Sequence, residues 1–194
     1  MFRLAFIFVL AAPSFAESLP DAAQRPDKAA VLSLLSKRAD VNAAQADGTT
    51  ALHWASYNDD LEIARALLGA KANPKAANRY GVTPLSLACT NGSAKMIGLL
   101  LGAGAEVNGS LPGGETALMT AARSGVPAAI KILLDYGANA EVKEDKRGQT
   151  ALMWAAAERH PDVVKFLLES RRLILDMSHA YKHAWHMCIR PNVD

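Results

Sequence analysis

One short string returns four times along the chain at a nearly constant interval: GTTALHWA from Gly48, GVTPLSLA from Gly81, GETALMTA from Gly114 and GQTALMWA from Gly148. The four glycines stand 33, 33 and 34 residues apart. A second string keeps the same phase, as LLSKRADVN from Leu34, LLGAKAN from Leu67, LLGAGAEVN from Leu100 and LLDYGAN from Leu133. Two strings in one register define a repeat, and a repeat of this size means stacked supersecondary units. Each unit is too small to bury its own apolar face, so the core forms only where neighbours meet.

The residues within a unit specify helices. Thr50, Thr83, Thr116 and Thr150 precede apolar runs, where a hydroxyl accepts from an orphan backbone N–H and caps a helix. Pro84 follows Thr83 at the first helical turn, where a missing N–H is harmless. Leu52 and Ala55, Leu85 and Ala88, Leu118 and Ala121, and Leu152 and Ala155 are pairs three apart, hence on one helical face. Gly104 and Gly137 follow Leu-Leu helix ends, where a left-handed residue closes a helix. Arg38 and Lys71 hold that slot in the first two units, which predicts strained or differently closed ends there. The pairs Leu67-Leu68, Leu100-Leu101, Leu133-Leu134 and Leu167-Leu168 are expected to form a continuous apolar spine.

At these strings the chain resembles the ankyrin repeat, with its G-x-T-P-L-H-x-A-A start and its L-L-x-x-G-A-D-V-N close. The resemblance runs from Leu19 to about Glu169. It implies an all-α ankyrin-repeat solenoid of helix-turn-helix units with projecting turns. The units fall at about 17–47, 48–80, 81–113, 114–147 and 148–169, the first being partial, with helices expected over Leu19 to Arg25 and Asp27 to Ser36. It also implies a non-catalytic scaffold, most simply a monomer, that binds a protein partner through the turns and the exposed side of each first helix. Matching positions give Asp47, Thr49, Tyr57, Asn58, Arg79, Tyr80, Asn91, Glu115, Arg123, Lys146, Arg147 and Glu158 as partner-binding candidates. The stretch Lys143-Glu144-Asp145-Lys146-Arg147 reads as a mixed-charge tip.

Catalytic signatures are missing from the strings. There is no phosphate loop, nucleophile elbow or H-E-x-x-H, and no cofactor is implied. His53 stands where the ankyrin pattern has its turn histidine, and Cys89 where a small buried side chain belongs. A net charge of +2 without a Lys/Arg stripe gives no support for nucleic-acid binding.

The two ends of the chain depart from the repeat. Residues 1–16 join Arg3 to an apolar run from Leu4 to Ala12 and close on Ser14 and Ala16, the pattern of a secretory signal peptide. The run is far short of the roughly 20 residues that span a bilayer. Export to a periplasm or the exterior follows as an expectation, with no membrane span after cleavage. Residues 170–194 match neither string. They read either as an amphipathic capping helix, with Leu173, Met177, Tyr181, Ala184, Trp185 and Cys188 on one stripe, or as a frame-shifted tail of a truncated longer repeat protein. His179, His183 and His186 make them the one metal-like cluster, and a metal-binding protein built on those histidines is the alternative function.

Overall fold

The computed structural model describes residues 18–170. The signal-peptide segment and the histidines of the tail lie outside the described residues. Within them the chain folds as helix pairs: α1 (Leu19–Gln24) with α2 (Lys28–Ser36), α3 (Ala51–Tyr57) with α4 (Leu61–Gly69), α5 (Pro84–Thr90) with α6 (Ala94–Gly102), and α7 (Ala117–Ser124) with α8 (Pro127–Asp135). The fifth pair is α9 (Ala151–Ala157) with α10, helical over 161–170. No β-strand forms among the described residues; isolated bridges join Ala44 to Thr50 and Ser110 to Thr116 at two of the turns.

First helices pack on first helices, α1 on α3 on α5 on α7 on α9, and second helices line up as α2, α4, α6 and α8. Ala55, Ala88, Ala121 and Ala155, all fully buried, let the first helices approach closely. This is an all-α repeat solenoid whose core is a ribbon between the two rows.

The helix starts follow from capping. Thr83 Oγ1 accepts from the Ser86 amide and Thr116 Oγ1 from the Met119 amide. Thr50 forms a capping box with His53, whose Nδ1 accepts from the Thr50 amide and lies 2.8 Å from the Thr50 hydroxyl, whereas Thr150 makes no side-chain cap bond. Second helices start on other caps: Asp27 accepts from Ala30, Asp60 from Glu62 and Ile63, and Ser93 from Met96.

The slot after Leu-Leu closes in the same way in each of the first four units. Gly104 and Gly137 sit at φ +96° and +85°, and Arg38 and Lys71 adopt +59° and +71°. The same backbone bonds recur, Ala39 to Leu34, Ala72 to Leu67, Ala105 to Leu100 and Ala138 to Leu133. The first two units therefore accept the strain of a side chain in the left-handed region rather than closing differently.

The Leu-Leu spine needs correcting. Leu67, Leu100, Leu101, Leu133 and Leu167 are buried, but Leu68 and Leu134 are only half-buried and Leu168 is 48% exposed. Adjacent helical residues point about 100° apart, so in the second, fourth and fifth units only the first leucine of the pair faces the ribbon, whereas in the third unit Leu101 is buried as well. The spine is completed one turn earlier, by Ile63, Met96, Ile97, Ile130 and Val163.

Candidate protein-interaction surface

Each unit projects a turn whose base is a pair of backbone bonds. Gln45 donates to Thr49 O and Gly48 to Gln45 O; the pattern recurs at Asn78, Leu111 and Glu144. Successive turns are joined where the Arg79 amide donates to Asp47 O at 2.8 Å and the Asp145 amide to Gly113 O at 2.9 Å. Pro112 stands at the intervening position and has no N–H to give. The extra residue of the fifth turn is absorbed by Glu144. Its buried carboxylate accepts from the amides of Lys146, Arg147 and Gln149, and those bonds hold its pKa below the usual carboxylate range. The expected mixed-charge tip is thus built around an anchored acid, with Lys146 and Arg147 exposed.

Beside the second turn, Trp54 donates its indole N–H to Gln45 Oε1 at 2.9 Å. Its ring meets Tyr57 edge-on, with centroids 5.9 Å apart, and Tyr57 is 58% exposed. A groove of about 390 Å³ opens there, lined by Asp47, Trp54, Tyr57, Val82 and Leu87 among others. Asp47 borders it with a carboxyl held low by the amide and hydroxyl of Thr49. Tyr80, at the tip of the third turn, is 63% exposed, and the Arg79 guanidinium beside it donates to Ala46 O.

At the other end of the array the Arg123 guanidinium lies 5.2 Å from the centre of the Trp154 ring and 3.4 Å from Glu115 Oε1. The Thr120 hydroxyl donates to the same Glu115 oxygen. Trp154 occupies the position of Trp54, yet its indole N–H finds no partner among the described residues. The residue matching Gln45 is Glu144, whose carboxylate is turned into its own turn. Glu158 is exposed nearby.

Three of the sequence candidates serve the array itself. Thr49 is 7% exposed, its hydroxyl donating to Asp47, so it is no open contact residue. The Asn58 amide donates to Ala23 O and Gln24 O, and that of Asn91 to Ser56 O and Tyr57 O, each clamping its unit to the one before. His160 Nε2, 2.9 Å from Arg123 O, does the same at the fifth unit. Sequence reading passed over that histidine because no repeated string contains it.

His53 is fully buried. Nδ1 faces the Thr50 amide at 3.2 Å, which fixes it as the acceptor and leaves Nε2–H to donate to Val82 O of the next unit at 3.0 Å. Burial holds its pKa below the ordinary histidine value. Cys89 is likewise inaccessible, and burial pushes its thiol far up. Among the described residues no three metal-ligating side chains gather, and no helix is long and apolar enough to cross a membrane.

A family model described as ankyrin repeats (3 copies) matches residues 19–110 and again 108–176. The chain belongs to the ankyrin repeat family. No curated protein matches it. The second ankyrin match runs on past Glu169, the end expected from the strings alone. Ankyrin repeats generally mediate protein–protein interaction, and ankyrin repeat proteins are typically non-catalytic scaffolds.

Proposed function

We propose that this ankyrin array is an exported protein-binding scaffold whose contact surface is formed by the turns and first helices. Its centre would be the groove beside Trp54 and Tyr57, extended by Arg79 and Tyr80, with a second contact region at Arg123, Glu115, Lys146, Arg147 and Glu158. The observation that carries this reading is the Trp54–Tyr57 pair, in which a tyrosine 58% exposed packs edge-on against a neighbouring ring beside a groove. Preorganised aromatic and arginine side chains are the residue types that most often dominate binding energy. Asp47 and Glu115, each fixed by hydrogen bonds, add directional acceptors at low ordering cost.

Affinity capture from the exported fraction with the wild-type chain, compared with Tyr57→Ala and Arg123→Ala variants of matched thermal stability, tests the surface. Loss of a captured protein with either variant supports the reading; retention of every captured protein by both overturns it. Residues 1–16 act in this proposal as the export signal, removed after Ala16. N-terminal sequencing of the secreted or periplasmic protein should begin at Glu17, and a mature chain starting at Met1 overturns the export. Light scattering at working concentration is expected to give the mass of one chain.

A further inference from the structure

Burial changes abruptly at the fifth unit. Met119 of α7 is 1% exposed, whereas Met153, the same residue type at the same place in α9, is 52% exposed. Leu118 is buried and Leu152 half-buried; Ala122 is buried and Ala156 exposed. The direction these side chains face is given by His53, which holds the position of Met153 and reaches forward to Val82 of the following unit. The fifth unit therefore presents forward an apolar face of the kind that a next unit covers everywhere else. A groove of about 650 Å³ runs beside it, lined by Ala156, His160, Val164 and Leu168 with Lys165 and Glu169 at its rim. An open apolar end on a stack of repeats is a site of self-association unless something polar on its outside covers it.

We propose that residues 171–194 cover this face within the same molecule, as a divergent sixth unit in whose repeat register Ala184 to Cys188 stand at the first-helix positions. The repeat register carries the assignment. First helices open at Ala51, Pro84, Ala117 and Ala151, and one more interval of 33 lands on Ala184. There the chain reads Ala184-Trp185-His186-Met187-Cys188 against Ala51-Leu52-His53-Trp54-Ala55. The first and fifth positions are small, the second is large and apolar, and the third is histidine, as in the second unit.

The slot that Gly137 fills falls on Arg171, and Arg38 and Lys71 show that a cation can hold that slot in this array. The residues between Ser170 and Ala184 equal within two the stretches that join Gly69 to Pro84, Gly102 to Ala117 and Asp135 to Ala151. A tether of that length holds the segment at an effective concentration on the order of millimolar, far above that of a second copy in solution.

Urea unfolding of the full chain tests the assignment through Met153→Ser, Trp185→Ser and the double variant, with Leu32→Ser as reference at an exposed apolar position in α2. Each of the first two should lower the midpoint more than Leu32→Ser, and the double variant should fall no further than the worse single one. Full additivity, or a Met153→Ser change no larger than the reference, overturns the proposal. A loss that depends on protein concentration also overturns it, in favour of a second copy on the face. Should a variant fail to fold, the emission that Trp185→Phe removes from the native chain decides the matter. Blue-shifted emission places the indole in an apolar contact, and emission at the water-exposed wavelength sinks the cap.

Discussion

Pro112 lies directly over Gly81: a Cβ built on that glycine would stand 2.4 Å from Pro112 Cδ. The two residues belong to neighbouring turns, and they meet at the one junction among the second to fifth turns where the backbone amide link is replaced by a ring. Where Arg79 and Asp145 donate across to the preceding turn, Pro112 packs instead.

Gly81→Ala should therefore be worse than an ordinary glycine replacement. Its φ of +74° already disfavours a side chain by about 1–2 kcal/mol, and the rigid proline ring adds a steric penalty. Gly104→Ala, at φ +96° with open space around it, isolates the backbone part. The expected order in urea titrations is a loss of about 1–2 kcal/mol for Gly104→Ala and a larger one for Gly81→Ala.

Lys71→Gly is expected to stabilise. Relief of the left-handed strain, about 1–2 kcal/mol, exceeds the extra entropy of glycine in the unfolded chain, about 0.5–1 kcal/mol. A lower urea midpoint for this variant would contradict the closure described for the first two units.

How far these features were legible from the amino acids differs by residue. The helix pairs, the Thr capping positions and the left-handed slot follow from periodicity and from the few residues that tolerate those backbones. What the strings could not reveal depends on which face each helix turns inward. Leu68 and Leu134 share a string with buried partners, yet helical geometry places them on the flank. At the candidate surface, exposure of Tyr57, Tyr80 and Arg123 agrees with their turn-side positions. Thr49, Asn58, Asn91 and Glu144 look like any polar loop residue until their hydrogen bonds to neighbouring backbone are seen. His160 lies outside every repeated string, so only the fold brings it to Arg123.

His53 makes stability depend on pH in a stated window. Its folded-state pKa is depressed, so the unfolded chain takes up the proton first as the pH falls. The stabilisation is complete above the unfolded value near 6.5 and is lost progressively below it. His53→Met, the residue type found at this place in the fourth and fifth units, should flatten the profile below about pH 6.5. It should also cost about 1–3 kcal/mol at pH 7.5, because the Thr50 amide and the Val82 carbonyl lose their partner.

Glu144 acts in a more acidic range and with the carboxylate sign. Its lowered pKa means that its contribution is present above the ordinary glutamate value and is lost as the pH falls through the depressed one. Glu144→Ala should lower the thermal midpoint at neutral pH and speed hydrogen exchange at the amides of Lys146, Arg147 and Gln149. Unchanged exchange at all three would show that the turn holds without its acid.

Leu100→Ala should cost about 2–5 kcal/mol, since its side chain is fully enclosed in the ribbon. Leu32→Ala, at a position 45% exposed, should stay within about 1 kcal/mol. Chemical unfolding of the two variants side by side checks the assignment of core and surface.

The ties between units made by His53, Asn58, Asn91 and His160 each reach only 29 to 37 residues along the chain. Among the described residues none of these ties joins the first unit to the last, so the entropy of closing each loop is nearly the same at every step. Such a chain can assemble in order of synthesis or of passage through a narrow channel. Each new pair of helices locks onto the one already formed, and the later portion need not have emerged.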